Sequence, residues 1–410
     1  MPRQAARSRG SPAESPKVIR QRPFRSGLQG PAAAAGFRAL PRQVMKKLHI
    51  ELEDRGYPVW IGTGLLRSSG RLLAELGFDT PPIVISNARV MRLHGKALLG
   101  SLQEVFGPVH AVCIGDGERF KNHTTLNRIY DGLLRARAGR RSWVLAFGGG
   151  VVGDIAGFAA ATFLRGIPWV GMPTTLVAQV DSSVGGKVGI NLAQGKNLIG
   201  AFHQPSAVLA DTTVLRTLPP RELAAGLFEI VKCGAIRSRA LFAYLERRLD
   251  AVMRSDPEAV ERVVVDAVRI KAGIVTVDER EEGARMVLNF GHTVGHALEA
   301  ATDYRRFKHG EAVAWGMIAA AGLAKAVSGL SSQEQERLVS LIHRIERLPG
   351  LRRISSARVW HALQRDKKSQ GGRIRMILLS AIGRTEIVDG LNPAQLRRFI
   401  FEFLKKAGRK

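Results

Sequence analysis

Between residues 48 and 220, short apolar runs alternate with longer stretches in which apolar positions recur at helical spacing. The runs at 49–53, 58–61, 83–86, 110–114, 143–147, 169–172 and 207–210 have the length and side chains of strands. Between several of them lie helix-like segments such as 94–105 and 124–136. This alternation predicts a mostly parallel, Rossmann-like α/β sheet with helices on both faces and ligands beyond the C-terminal strand ends. After Pro219-Pro220 the pattern changes. Segments at 221–235, 239–253, 257–277, 284–301, 310–328 and 332–346 predict a predominantly α-helical second part. A short strand at 374–379 and a last helix at 393–407 follow. The expected organisation is an α/β domain over 45–220, a helical domain over 221–410, and a site in the cleft between them.

Residues 1–44 are rich in Arg, Ala, Pro, Ser and Gly without apolar periodicity, which predicts a disordered basic extension. Many arginines and few acids resemble an organelle transit peptide. Met45, directly before the first strand-like run, fits an upstream extension of the reading frame equally well, with the body in the cytoplasm. Hydrophobic residues make up 45% and charged ones 24%, as in soluble globular proteins. No unbroken apolar run reaches the roughly 18 residues of a membrane span. Cys113 and Cys233 form no metal motif and are expected as buried thiols in a reducing compartment.

The net charge is +27, of which residues 1–47 supply +10, leaving +17 on the body. Such a body could attract nucleic acid, serve an enzyme with a polyanionic substrate, or reflect nothing more than an arginine-rich composition. No recognition helix or aromatic stacking pattern is present, so nucleic acid is not the expected partner.

The stretch from Trp143 to Gln204 carries the densest chemistry. Gly148–Gly150 follow a buried-strand pattern and precede an apolar, helix-compatible segment, a layout that lets backbone approach a pyrophosphate. The spacing G-G-G-V-V-G is not the standard dinucleotide fingerprint, and a plain tight turn is the alternative. Asp181, Lys187, Lys196 and Asn197 are threaded among Gly185, Gly186, Gly195 and Gly200, a texture suited to phosphate or carboxylate binding. In the helical part, His292 and His296 stand four apart and share a helix face. Spacing alone selects His292, His296 and Glu311 as metal ligands, with Glu229 as a distant fourth.

The ordered motifs G-D-G-E-R-F-K, G-G-G-V-V-G-D, P-T-T-L, D-S-S-V-G-G-K, G-K-N-L-I-G-A-F, T-L-P-P-R-E, F-E-I-V-K, D-E-R-E-E-G, L-N-F-G-H-T-V-G-H, H-G-E-A-V and R-D-K-K resemble the 3-dehydroquinate synthase family from about residue 48 onward. The resemblance implies a divalent metal, Zn²⁺ or Co²⁺, held by Glu229, His292 and His309, with His296 facing substrate. It implies NAD against Asn87, Asp116, Gly117, Glu118, Lys121, Gly149, Gly150, Val151, Val152, Gly153, Asp154, Thr174, Thr175, Asp181, Lys187 and Lys196. It implies a substrate pocket of Arg165, Asp181, Lys187, Asn197, Lys232, Lys271, Arg285, Asn289, His296, Lys367 and Lys368, and a homodimer.

The implied reaction converts 3-deoxy-D-arabino-heptulosonate 7-phosphate to 3-dehydroquinate and phosphate, in the shikimate pathway. It proceeds by transient oxidation, phosphate elimination, re-reduction and intramolecular aldol closure. Phe228, where a small residue is usual, and Val188, where threonine is common, depart from the pattern without removing a ligand or catalytic group. Alternatives are a related sugar-phosphate cyclase of secondary metabolism, a metal-dependent polyol dehydrogenase, and a basic binding protein without turnover.

Overall fold

The computed structural model describes residues 45–369 and 374–408, without the side chains of 366–369. The expected disorder of 1–44 lies outside the described residues, as do the side chains of Lys367 and Lys368.

Among the described residues, nine strands fall in the first part: β1 (Met45–Ile50), β2 (Tyr57–Gly62), β3 (Ile83–Asn87), β4 (His110–Ile114), β5 (Val144–Gly148), β6 (Trp169–Pro173), β7 (Lys187–Leu192), β8 (Gly195–Phe202) and β9 (Ala207–Asp211). With them come helices α1 (Ser69–Glu75), α2 (Ala88–Phe106), α3 (His123–Arg135) and α4 (Gly150–Thr162). Seven strands form one sheet, ordered β1-β2-β9-β6-β5-β3-β4, parallel except for the antiparallel edge pair β1–β2. β3, β5, β6 and β9 are buried along their whole length, which is why they read as unbroken apolar runs. On β5, Trp143 (just before the strand), Leu145 and Phe147 enter the core on one face, and Val144 and Ala146 the core on the other. The chain runs from β3 outward to β4 and then returns to β5 on the other side of β3. That reversal opens a crevice at the C-terminal ends of β3 and β5.

The remainder is mostly helical: α5 (Pro220–Arg237), α6 (Arg239–Met253), α7 (Pro257–Val277), α8 (His292–Ala301), α9 (His309–Val327), α10 (Ser332–Ile345), α11 (Ser356–Ser369) and α12 (Pro393–Ala407). A hairpin of β10 (Met376–Ala381) and β11 (Arg384–Val388) sits before α12. One hydrophobic core continues from the sheet face through α5, α6 and α7 to α9 and α10. α9 is long and apolar enough to cross a membrane, but 72% of its apolar window is buried inside the protein, which makes it a core helix. Cys233 is buried as expected, whereas Cys113, on edge strand β4, is only half-buried.

Three features depart from the expected pattern. The expected helix over 284–301 is a 3-10 segment, Ala284–Asn289, and then α8. Gly291 between them has φ 80°, a left-handed conformation that ends one helix and starts the next. Residues 187–202, which read as glycine-threaded loop, form the β7–β8 hairpin packed on α4. α11 carried too little apolar periodicity to be foreseen.

Close backbone approach brings α5, α8 and α9 together. A Cβ at Gly316 on α9 would lie 1.8 Å from the Gly291 carbonyl oxygen, and one at Gly310 would lie 2.1 Å from the Ala225 carbonyl oxygen on α5. Only glycine permits these contacts, which seat the start of α8 against α9 and the start of α9 against α5.

Candidate active site

An open cleft of about 800 Å³ lies at the C-terminal edge of the sheet. One wall is the turn after β4, the start of α4 and Thr174–Thr175 after β6; the opposite wall is His296 and Glu299 on α8 and His309 on α9. Gly149 precedes Gly150, the first residue of α4, so the unpaired amides of the first helical turn meet the cleft beside two residues that carry no side chain.

Asn87, Asp116, Gly117, Glu118, Lys121, Gly149, Gly150, Val151, Val152, Asp154, Thr174, Thr175, Asp181, Lys196 and Asn197 all line this cleft. Asn87 caps α2 by accepting from the Val90 amide, and its Nδ2 donates to Asp116 at 3.4 Å. Glu118 accepts from Asn191 Nδ2 at 2.7 Å. Lys121 is buried and pairs with Asp154 at 2.5 Å, and it also touches the Asn197 amide oxygen. Gly153 lies on α4 away from the cleft lining.

Four candidate ligands meet on the helical wall. His292, His296 and His309 each offer a ring nitrogen within 4.8 Å of the others. Glu229, on α5 and 1% exposed, lies with Oε1 3.5 Å from His309 Nε2 and Oε2 2.5 Å from Lys232 Nζ. Neither of its carboxylate oxygens receives a well-directed hydrogen bond. A buried, incompletely satisfied carboxylate beside one ring of a three-imidazole cluster is a donor set that fits a divalent cation. Burial, then the charge of Lys232, holds His292 well below its ordinary range, and burial takes His296 down to about 4. Both rings are therefore neutral near pH 7 and present lone pairs. His296 faces the open cleft, so solvent reaches it although the cleft walls surround it closely.

A second polar cluster sits behind the first. Lys271 Nζ lies 2.5 Å from Asp181 Oδ1 and donates to the Asp181 carbonyl at 2.6 Å. Burial alone would raise the Asp181 carboxyl, but Lys271 and then Lys232 outweigh it and keep the carboxylate ionised. Burial, then Arg285 and Lys271, lowers the Lys187 amine to about 8. Arg285 is 3% exposed and donates to the Glu279 carbonyl at 2.5 Å.

Some sequence expectations need correction. Glu311, selected by spacing as a ligand, is committed elsewhere: Arg221 holds both its oxygens at 2.5 and 2.7 Å, and it accepts from the Lys308 amide at the start of α9. Arg165 is exposed in the turn after α4, outside this chain's cleft lining. Phe228 is fully buried core, and Val188 is buried against the Gly157 position of α4.

Two residues were missed. Glu281 contacts the Lys187 amine and accepts from Asn289 Nδ2 at 2.7 Å. Glu299 lies between Lys196 at 3.1 Å and His309 at 3.4 Å. The spacing of Glu299, three after His296 and seven after His292, was the available signal.

Comparison with known proteins accords with this geometry. Models of the 3-dehydroquinate synthase N-terminal and C-terminal regions match residues 111–225 and 226–369. The chain is 44% identical over 358 residues to a 3-dehydroquinate synthase of Halorhodospira halophila, covering 87% of this chain and 99% of that protein. It is also 44% identical over 362 residues to one from Pelotomaculum thermopropionicum, covering 88% and 96%. Among solved structures, a 2-deoxy-scyllo-inosose synthase complexed with carbaglucose-6-phosphate, NAD⁺ and Co²⁺ superposes with TM-score 0.78 at 27% identity, covering 87% of this chain and 100% of that one. A 2-epi-5-epi-valiolone synthase from Streptomyces hygroscopicus subsp. jinggangensis 5008, with NAD⁺ and Zn²⁺ bound, gives 0.79 at 28%, covering 87% and 99%. A glycerol dehydrogenase from Schizosaccharomyces pombe, at 16% identity and TM-score 0.61, shares the fold, covering 85% and 88%. With both family regions matched and close relatives spanning most of its length, the chain belongs to the 3-dehydroquinate synthase family.

Proposed function

We propose that the chain converts 3-deoxy-D-arabino-heptulosonate 7-phosphate to 3-dehydroquinate and phosphate. The observation that carries this reading is the meeting, across one cleft, of an open helix N-terminus with a three-histidine, one-carboxylate cluster. NAD would lie along Gly149–Asp154, Asn87 and the 116–121 turn, and Glu229, His292 and His309 would hold a Zn²⁺- or Co²⁺-type ion. When bound, the nucleotide supplies a reversible hydride acceptor and the ion a Lewis acid at the substrate oxygen.

The chain's own groups do the rest. Lys187, Lys271, Arg285 and Lys196, with Lys367, supply charge, and Asn289 a neutral hydrogen-bonding amide, for a substrate bearing a carboxylate and a phosphate. Lys232 compensates Glu229 and Asp181 inside the protein. His296, neutral and facing the cleft, can hold or pass a proton beside the substrate. The substrate's own phosphate can serve as the base in elimination, which leaves the protein to position and screen charge. On the same footing we assign nucleotide binding to 45–220 and metal and substrate binding to 221–410, in a cytoplasmic homodimer.

A panel of sugar phosphates tests the substrate assignment. Phosphate release from the heptulosonate, with 3-dehydroquinate as product, is expected. Release only from a hexose or pentulose phosphate would contradict it and favour a sibling cyclase.

A further inference from the structure

Glu299 takes part in neither the ligand set nor the substrate set described above, yet it lines the cleft with a side chain only 4% exposed. It follows His296 by three positions on α8, so it faces the same side. Its two oxygens have different partners. Oε2 lies 3.4 Å from His309 Nδ1, at the start of α9. Oε1 lies 3.1 Å from Lys196 Nζ, on the β7–β8 hairpin, and that same amine sits 4.4 Å over the Tyr304 ring. The other ring nitrogen of His309, Nε2, points toward Glu229 at 3.5 Å. An imidazole that ligates a metal is neutral and has one proton to place. A carboxylate beside Nδ1 draws it there and leaves the Nε2 lone pair facing the Glu229–His292–His296 cluster.

We propose that Glu299 is a positioning residue that fixes the tautomer and ring orientation of His309 as a metal ligand and, through Lys196, ties that ligand to the nucleotide side of the cleft. This rests on the metal-site reading above. The alternative is a plain Lys196–Glu299 ion pair that holds the hairpin against α8. The two differ in what they do to metal affinity.

The test uses the full chain stripped of metal and titrated with Co²⁺ alone, followed by the visible absorption of the bound ion and by chelator competition. Glu299→Leu is expected to weaken Co²⁺ binding roughly 10- to 100-fold, the usual cost of losing such a support. Glu299→Asp, which keeps the charge but withdraws the oxygen from Nδ1, should weaken it less and alter the Co²⁺ spectrum. Lys196→Met should leave Co²⁺ affinity near wild type. Wild-type affinity and spectrum in both Glu299 variants would overturn the proposal; if Glu299→Leu does not fold, Glu299→Asp alone decides. Greater loss in Lys196→Met than in the Glu299 variants would also overturn it, in favour of the plain ion pair. If the wild type takes up no Co²⁺, or His309→Ala takes it up equally well, the metal-site reading fails and this proposal falls with it.

Discussion

Lys232 and Glu229 are one helical turn apart on α5, at 2% and 1% exposure, and neither would tolerate burial alone. The charge of Glu229, with that of Asp181, lifts the Lys232 amine above its usual range against the opposing effect of burial. Replacing Lys232 with Met strands the carboxylate, and the metal-free protein should lose about 3–5 kcal/mol of unfolding free energy in urea. Saturating Co²⁺ or Zn²⁺ should recover part of that loss, because the ion gives Glu229 a new counter-charge. An equal loss with and without metal would argue against Glu229 as a ligand. Loss of His309 should go further: His309→Ala is expected to abolish turnover together with bound metal, and unchanged metal content would reject the assignment. Lys187 gives a pH signature. Its amine is depressed to about 8, so it is charged below that pH and neutral above it. Binding of an anionic substrate should therefore weaken as pH rises through about 8, seen as a falling kcat/KM, and Lys187→Met should lose that limb of the profile.

At the scale of elements, the site depends on how closely helices approach. A methyl group at Gly316 would enter the Gly291 carbonyl at 1.8 Å, so Gly316→Ala must push α9 away from α8. Overpacking of this kind costs about 1–3 kcal/mol, and here it should also weaken metal uptake, since His309 sits at the start of the displaced helix. Normal metal affinity in a folded Gly316→Ala protein would show that the cluster does not rely on this seam. The same elements show what the residue pattern could and could not reveal. The buried strands of the sheet and helices α5, α6, α7 and α10 were legible because uninterrupted apolar runs and helical periodicity leave little choice. The break at Gly291 was not, because one glycine inside a continuous apolar pattern reads as helix until packing demands φ 80°. The β7–β8 hairpin was hidden by its glycines, which pair backbone to backbone and give no alternating side-chain signal. Glu311 misled for a related reason: sequence proximity to the histidines says nothing of Arg221, 90 residues earlier, which claims the carboxylate.

The whole molecule carries a net charge of +27, and the residues after 47 account for +17 of it. Lys196 lines the cleft and Lys187, Lys271 and Arg285 cluster behind it, so their summed field would draw a small polyanion toward that side of the molecule. Raising ionic strength from roughly 0.01 to 1 M shortens the screening length about tenfold, and kcat/KM for the sugar phosphate should fall steadily across that range. A salt-independent kcat/KM would confine the charge to bulk solubility. The central claim is that hydride leaves and returns within one turnover while phosphate departs for good. The most direct test follows phosphate release from 3-deoxy-D-arabino-heptulosonate 7-phosphate and the absorbance band of NADH in the same cuvette, with NAD and Zn²⁺ present. The account predicts continuous phosphate release with no lasting NADH; NADH rising in step with substrate consumed, without phosphate, would contradict it and mark a dehydrogenase.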